Sequence, residues 1–91
     1  MIEISYDPAK DVINQGKHGV SLIMAAQIDW LTALEAYDDR EDYGEDRYRA
    51  VGFIGERLYF VAFTDRGELR HIISLRKATA REVRDYVERN L

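Results

Sequence analysis

Apolar and polar residues alternate over residues 2–6, and that period of two predicts a first strand. Asp7-Pro8 closes it, an N-cap followed by proline at the first helical position. A helix should follow with Ala9, Val12, Ile13 and Gly16 on one face, stopping at Gly19, so that Lys17 and His18 occupy its last turn. Ser21 can cap a second helix over residues 22–28, although Met24 stands where a capping-box glutamate would be. Leu22, Ile23, Met24, Ala25, Ala26, Ile28, Trp30 and Leu31 leave that helix little polar face, so it is expected to be buried on most sides, covered by a partner, or both.

Residues 33–38 read as a strand, and residues 39–46, with Gly44, as a charged loop. Residues 48–55 and 57–64 are rich in valine, isoleucine, phenylalanine and tyrosine, with a tight Gly55-Glu56 junction that predicts a hairpin. Asp65-Arg66-Gly67-Glu68 turns the chain into a last strand over 69–76. Thr79 and Glu82 make the capping-box pattern T-x-x-E, opening a helix whose Val83, Tyr86, Val87 and Leu91 recur at helical spacing. The order β-α-α-β-β-β-β-α, without repeat or linker, predicts one α+β domain over residues 1–91, its helices packed on a twisted antiparallel sheet.

Ninety-one residues suffice for one core, and 46% hydrophobic against 33% charged residues is a composition that folds. The lack of cysteine excludes disulfides and thiolate metal sites and suits a reducing, cytoplasmic setting. No run of 18 apolar residues and no leader-like start is visible, so no membrane partner is expected. The net charge of −4 is concentrated: residues 38–47 hold six acids and two arginines, leaving 11 basic and 11 acidic residues elsewhere. A local basic cleft for a nucleic acid is therefore compatible with an acidic chain.

No nucleotide-binding glycine loop, metal-ligand cluster or nucleophile motif is present. What remains is basic and imidazole chemistry. Regular pleating of the last strand would send Arg70, Ile72, Ser74 and Arg76 to one face and Leu69, His71, Ile73 and Leu75 to the other. Metal-free RNA cleavage needs a base for the 2′-hydroxyl, cations for the crowded phosphate and an acid for the leaving oxygen. Lys17, His18, His71 and Arg76 are the catalytic candidates, and Arg47, Arg70, Lys77 and Tyr86 the RNA-binding ones. Each has a plainer role open to it: Lys17 and His18 as helix-end cations, His71 as a partly buried hydrogen-bonded side chain, Arg70 and Arg76 as solvated strand residues, and Tyr86 as core.

Tyr6-Asp7-Pro8, Lys17-His18-Gly19-Val20, the acidic residues 39–47, Ile72-Ile73-Ser74-Leu75-Arg76-Lys77-Ala78, and Arg81-Glu82 with Tyr86 follow one another in an order that resembles the BrnT family of toxins over nearly the whole chain. The resemblance implies a RelE-like fold, with two N-terminal helices and one C-terminal helix on a twisted antiparallel sheet. It implies growth arrest through RNA cleavage without a cofactor, and neutralisation by a BrnA-type antitoxin bearing a ribbon-helix-helix domain. Operator DNA would be met only through that antitoxin, in a heterotetramer or with a second copy of the toxin. Lys17, His18, Arg47 and Arg76 match the family pattern. His71 stands where the family commonly has arginine, and Leu75 where a small residue is common. Ile23 and Met24 replace glutamates, enlarging an apolar patch expected to meet the antitoxin or a second copy. The other reading is a homologue without catalysis that acts by binding its partner.

Overall fold

Five strands form one sheet in the spatial order β1-β5-β4-β3-β2, in a computed structural model that describes residues 2–90. In chain order the elements are β1 (Glu3–Tyr6), α1 (Pro8–His18), a 3-10 helix (Leu22–Gln27), β2 (Leu34–Tyr37), β3 (Tyr48–Ile54), β4 (Arg57–Arg66), β5 (Leu69–Lys77) and α2 (Ala80–Asn90). The β2-β3-β4-β5 meander is antiparallel, as the turn signals require. The first strand corrects the expectation of an all-antiparallel sheet: β1 lies parallel to β5, with Glu3 opposite Leu69 and Tyr6 opposite Ile72. Parallel pairing needs a long connection, and the 62 positions between Tyr6 and Leu69 provide one.

The helix ends form as the sequence dictates. Asp7 accepts the Ala9 amide at 2.9 Å, Pro8 opens α1, and Gly19 ends it at φ 69°, in the left-handed region that glycine occupies without steric cost. At the start of α2 the capping box closes in both directions: Thr79 N donates to Glu82 Oε1 at 2.8 Å, and Glu82 N to Thr79 Oγ1 at 3.2 Å.

The helix expected after Ser21 is a 3-10 helix, and burial explains why. Leu22, Ala25 and Ile28 are all buried, a strict three-residue spacing that matches three residues per turn and would drift around an α-helix. These residues form one core with Ala50, Val61, Phe63, Ile72 and Leu75. Ile23 and Met24 are left facing outward, 52% and 38% exposed.

Helix α1 is turned inside out relative to its expected face. Val12 and Ile13 are exposed, while Asn14 is buried and bonds the backbone of Leu75 in both directions. The reason is the short β1: it pairs with β5 only as far as Ile72, so the outer edge of β5 beyond that point needs polar partners, and α1 brings a polar side to it.

A bulge in β5 overturns the regular pleat. Ala62 of β4 faces Ser74 and the next residue, Phe63, faces Ile72, so Ile73 is the extra residue. Ile72 and Leu75 consequently both enter the core on the face covered by the 3-10 helix. Arg70 shares that face, whereas His71, Ser74 and Arg76 belong to the opposite one, so the expectation that Arg70 and Arg76 share a face is wrong.

Candidate functional site

The strand register assembles a polar surface on the face of the sheet opposite the core. Arg49 of β3, Ala62 of β4 and Ser74 of β5 form one row across three strands; Val51, Phe60 and Arg76 form the next. Neighbouring strands lie about 4.8 Å apart, so the Cα atoms of Arg49 and Ser74 are roughly 10 Å apart with only the small Ala62 between them. Residues 38–46 bound this surface on one side through Asp38 and α2 on the other through Glu82.

Arg76 is held in a fixed pose. Its guanidinium lies 4.1 Å from the centre of the Phe60 ring. Nη1 and Nη2 donate to the two carboxylate oxygens of Glu82 at 2.8 and 3.0 Å, and Nη1 also donates to the Lys77 carbonyl at 3.2 Å. Burial works to raise the Glu82 carboxyl, but the bonds from Arg76 and Thr79 outweigh it and hold the group below its ordinary value. Lys77 itself is exposed at the strand end.

Lys17 and His18 end α1, exposed, and their side chains take no hydrogen bond or ion pair among the described residues. They lie one helical turn beyond Asn14, which grips Leu75, the residue before Arg76. The structure thus brings the end of α1 and the end of β5 to one region of the sheet edge. It does not bring their side chains into contact, because Arg76 turns to the α2 side.

His71 is further off. Five positions along a strand separate its Cα from that of Arg76 by roughly 15 Å. Its Nδ1 shares a 3.0 Å hydrogen bond with Ser5 Oγ of β1. Burial, and then the charge of Arg66, push the imidazole below its ordinary value.

Two expected RNA contacts, Arg70 and Tyr86, are taken up by the fold. Arg70 sits on the core face between Trp30 and Phe63, 4.7 and 4.5 Å from their ring centres, and forks onto Glu35 at 2.9 and 3.1 Å with Asp65 nearby at 3.3 Å. Tyr86 is buried, edge-on to Phe53, with its hydroxyl donating to the Thr32 carbonyl at 3.1 Å, so no base can stack on it in this arrangement. Arg47 stacks 3.9 Å over the Tyr43 ring, and its Nε is buried without a partner.

Sequence reasoning missed Arg49 and Asp38. Asp38 is 1% exposed, and its carboxylate receives a fork from Arg40 at 2.7 and 2.7 Å, with Arg49 Nη1 at 3.7 Å and the Tyr43 hydroxyl at 3.4 Å. The Arg40 hydrogen bonds, against a smaller opposing effect of burial, lower its pKa to about 2. Inside a run of six acids nothing marks one as buried; the clue was the alternation of β2, which continues through Asp38 and sets it on the same face as Arg49.

A half-exposed sheet face carrying arginines, a hydroxyl and an imidazole defines a small α+β protein suited to a phosphodiester substrate. Residues 6–82 match the family of ribonuclease toxins, BrnT, of type II toxin-antitoxin systems, and the chain belongs to that family. Its structure resembles the 1.1 Å crystal structure of the Brucella abortus ribonuclease toxin BrnT, at 25% sequence identity and a TM-score of 0.65, over 87% of this chain and 99% of that one. No curated protein matches the sequence. The family implies an RNA substrate and an antitoxin partner. No helix among the described residues is long and apolar enough to cross a membrane.

Proposed function

We propose that this protein is a metal-independent endoribonuclease that arrests growth by cutting RNA, as one cytoplasmic RelE-like domain, and is neutralised by a BrnA-like ribbon-helix-helix antitoxin. The observation that carries the reading is the sheet face on which Arg76 and Arg49 stand in adjacent rows around Ser74. Arg76 binds the scissile phosphate, since a guanidinium matches two phosphate oxygens at once. Lys17, from the same region of the sheet edge, supplies a second cation, and His18 is the imidazole that moves the proton. His71, oriented by Ser5, meets the RNA strand at the far end of β5, while Arg49 and Lys77 contact flanking phosphates.

Cleavage of a single-stranded RNA in EDTA tests this reading. The wild-type protein should cut it, Arg76→Ala should abolish cutting, and His18→Ala should reduce it more than His71→Ala. Intact RNA after incubation with folded wild-type protein would overturn the assignment.

A further inference from the structure

Arg76 has five N–H donors, and the structure accounts for three of them. Both on Nη1 are taken, by Glu82 Oε1 at 2.8 Å and the Lys77 carbonyl at 3.2 Å, and one on Nη2 is taken by Glu82 Oε2 at 3.0 Å. The two left over are Nε–H and the second Nη2–H. They lie on the same edge of the guanidinium, parallel to one another, in the side-on fork that pairs with two oxygens of a phosphate. Nε has no partner among the described residues and is not among the buried, unsatisfied atoms, so it reaches solvent.

The pose of that edge is fixed in every direction. The Phe60 ring sets the plane of the guanidinium, and Glu82 fixes its rotation within the plane by holding the opposite end. The Glu82 carboxylate is itself held, because Oε1 also accepts the backbone amide of Thr79 that opens α2. The sheet supplies the arginine and the first turn of α2 supplies its brace.

We infer that Glu82 is a positioning residue for RNA cleavage, clamping the end of the Arg76 guanidinium so that its free side-on fork is held ready for the scissile phosphate. This rests on the reading of Arg76 as the phosphate ligand. Glu82 does not touch RNA; its effect passes through Arg76. A preset fork is worth more when charge builds up in the transition state than in the ground state, so the loss should fall on kcat. If the carboxylate merely shielded Arg76 from RNA, removing its charge would speed cleavage instead.

Glu82→Gln separates these cases, because glutamine can still accept the Thr79 amide and complete the capping box while its neutral amide no longer clamps an arginine by two charged bonds. With purified toxin and a defined RNA, kcat should fall by about tenfold to a hundredfold with KM changed by less than about threefold. The melting temperature should stay within about 3 °C of wild type. Thr79→Ala, which weakens the cap and spares the ion pair, should lower the melting temperature and leave kcat within about twofold. Arg76→Ala is run beside them. If it is inactive while Glu82→Gln keeps its kcat, or cuts faster, the clamp is refuted and the phosphate ligand stands. If Arg76→Ala cuts normally, the catalytic reading of Arg76 itself falls.

Discussion

Asn14 of α1 acts as a missing strand for Leu75 of β5: Nδ2 donates to the Leu75 carbonyl at 2.9 Å and Oδ1 accepts the Leu75 amide at 3.1 Å. The same Nδ2 donates to the Val20 carbonyl at 2.9 Å, so one buried amide joins the edge of the sheet, the helix and the chain beyond it. Asn14→Leu keeps the branched outline of the side chain but would leave two backbone groups of a core residue unpaired, at a cost of about 2–4 kcal/mol. Urea denaturation should show that loss as a lower midpoint with an unchanged slope. Because Asn14 also sets where the end of α1 lies, cleavage by the folded fraction should drop as well.

Arg70 and Arg76 are six residues apart on one strand and do opposite work. Arg70 is wedged between Trp30 and Phe63 and forked onto Glu35, which ties β2 to β5 across the core face. Arg70→Met keeps much of the packing and removes the charge that Glu35 and Asp65 answer. The expected result is a stability loss of about 1–2 kcal/mol with RNA cleavage per folded molecule unchanged. A cleavage defect as deep as that of Arg76→Ala would contradict the separation of the two arginines by the bulge.

That bulge also marks where the sequence stops being legible. Each strand of the meander, the cap at Asp7, the stop at Gly19 and the capping box of Thr79 and Glu82 follow from local rules that tertiary structure leaves intact. Ile73 does not announce itself: isoleucine suits a bulge no better than its neighbours, so pleating by two carries Arg70 and Arg76 onto one face. The inverted α1 is hidden for a related reason. Its apolar stripe is real, but the free edge of β5 asks for the amide of Asn14, and an unpaired backbone outweighs the gain from covering Val12 and Ile13. The family motifs single out the end of β5; which face each side chain takes depended on pairing with a partner strand.

Asp38 makes the loop of residues 39–46 sensitive to acid. Its folded pKa of about 2 lies below the ordinary 3.8, so the carboxylate stabilises the fold above that ordinary value, and the contribution is lost as pH falls from about 4 towards 2. Its main partner Arg40 is half exposed, which limits the contribution at neutral pH to about 1–2 kcal/mol. Asp38→Asn should therefore melt lower than wild type at pH 7, and the gap between the two should close across that acid window. A gap that stays constant from pH 7 to pH 2 would show that the charge on Asp38 contributes nothing.

Helix α1 and the 3-10 helix both leave apolar side chains outside. Asp11 accepts the Ser21 hydroxyl at 3.0 Å and the Leu22 amide at 2.7 Å, which ties α1 to the start of the 3-10 helix. Val12, Ile13, Ile23 and Met24 are all more than a third exposed, so the patch extends beyond the two residues singled out in the sequence. A toxin of a type II system has an antitoxin, and such a surface gains most by being covered in the complex. Ile23→Lys with Met24→Glu leaves Leu22 and Ala25, the buried residues on either side, in place. Cleavage of RNA should be unchanged in the double variant, while the cognate antitoxin should bind at least about tenfold more weakly by calorimetry. Undiminished binding would place the antitoxin on another face, and Val12→Lys would then be equally silent.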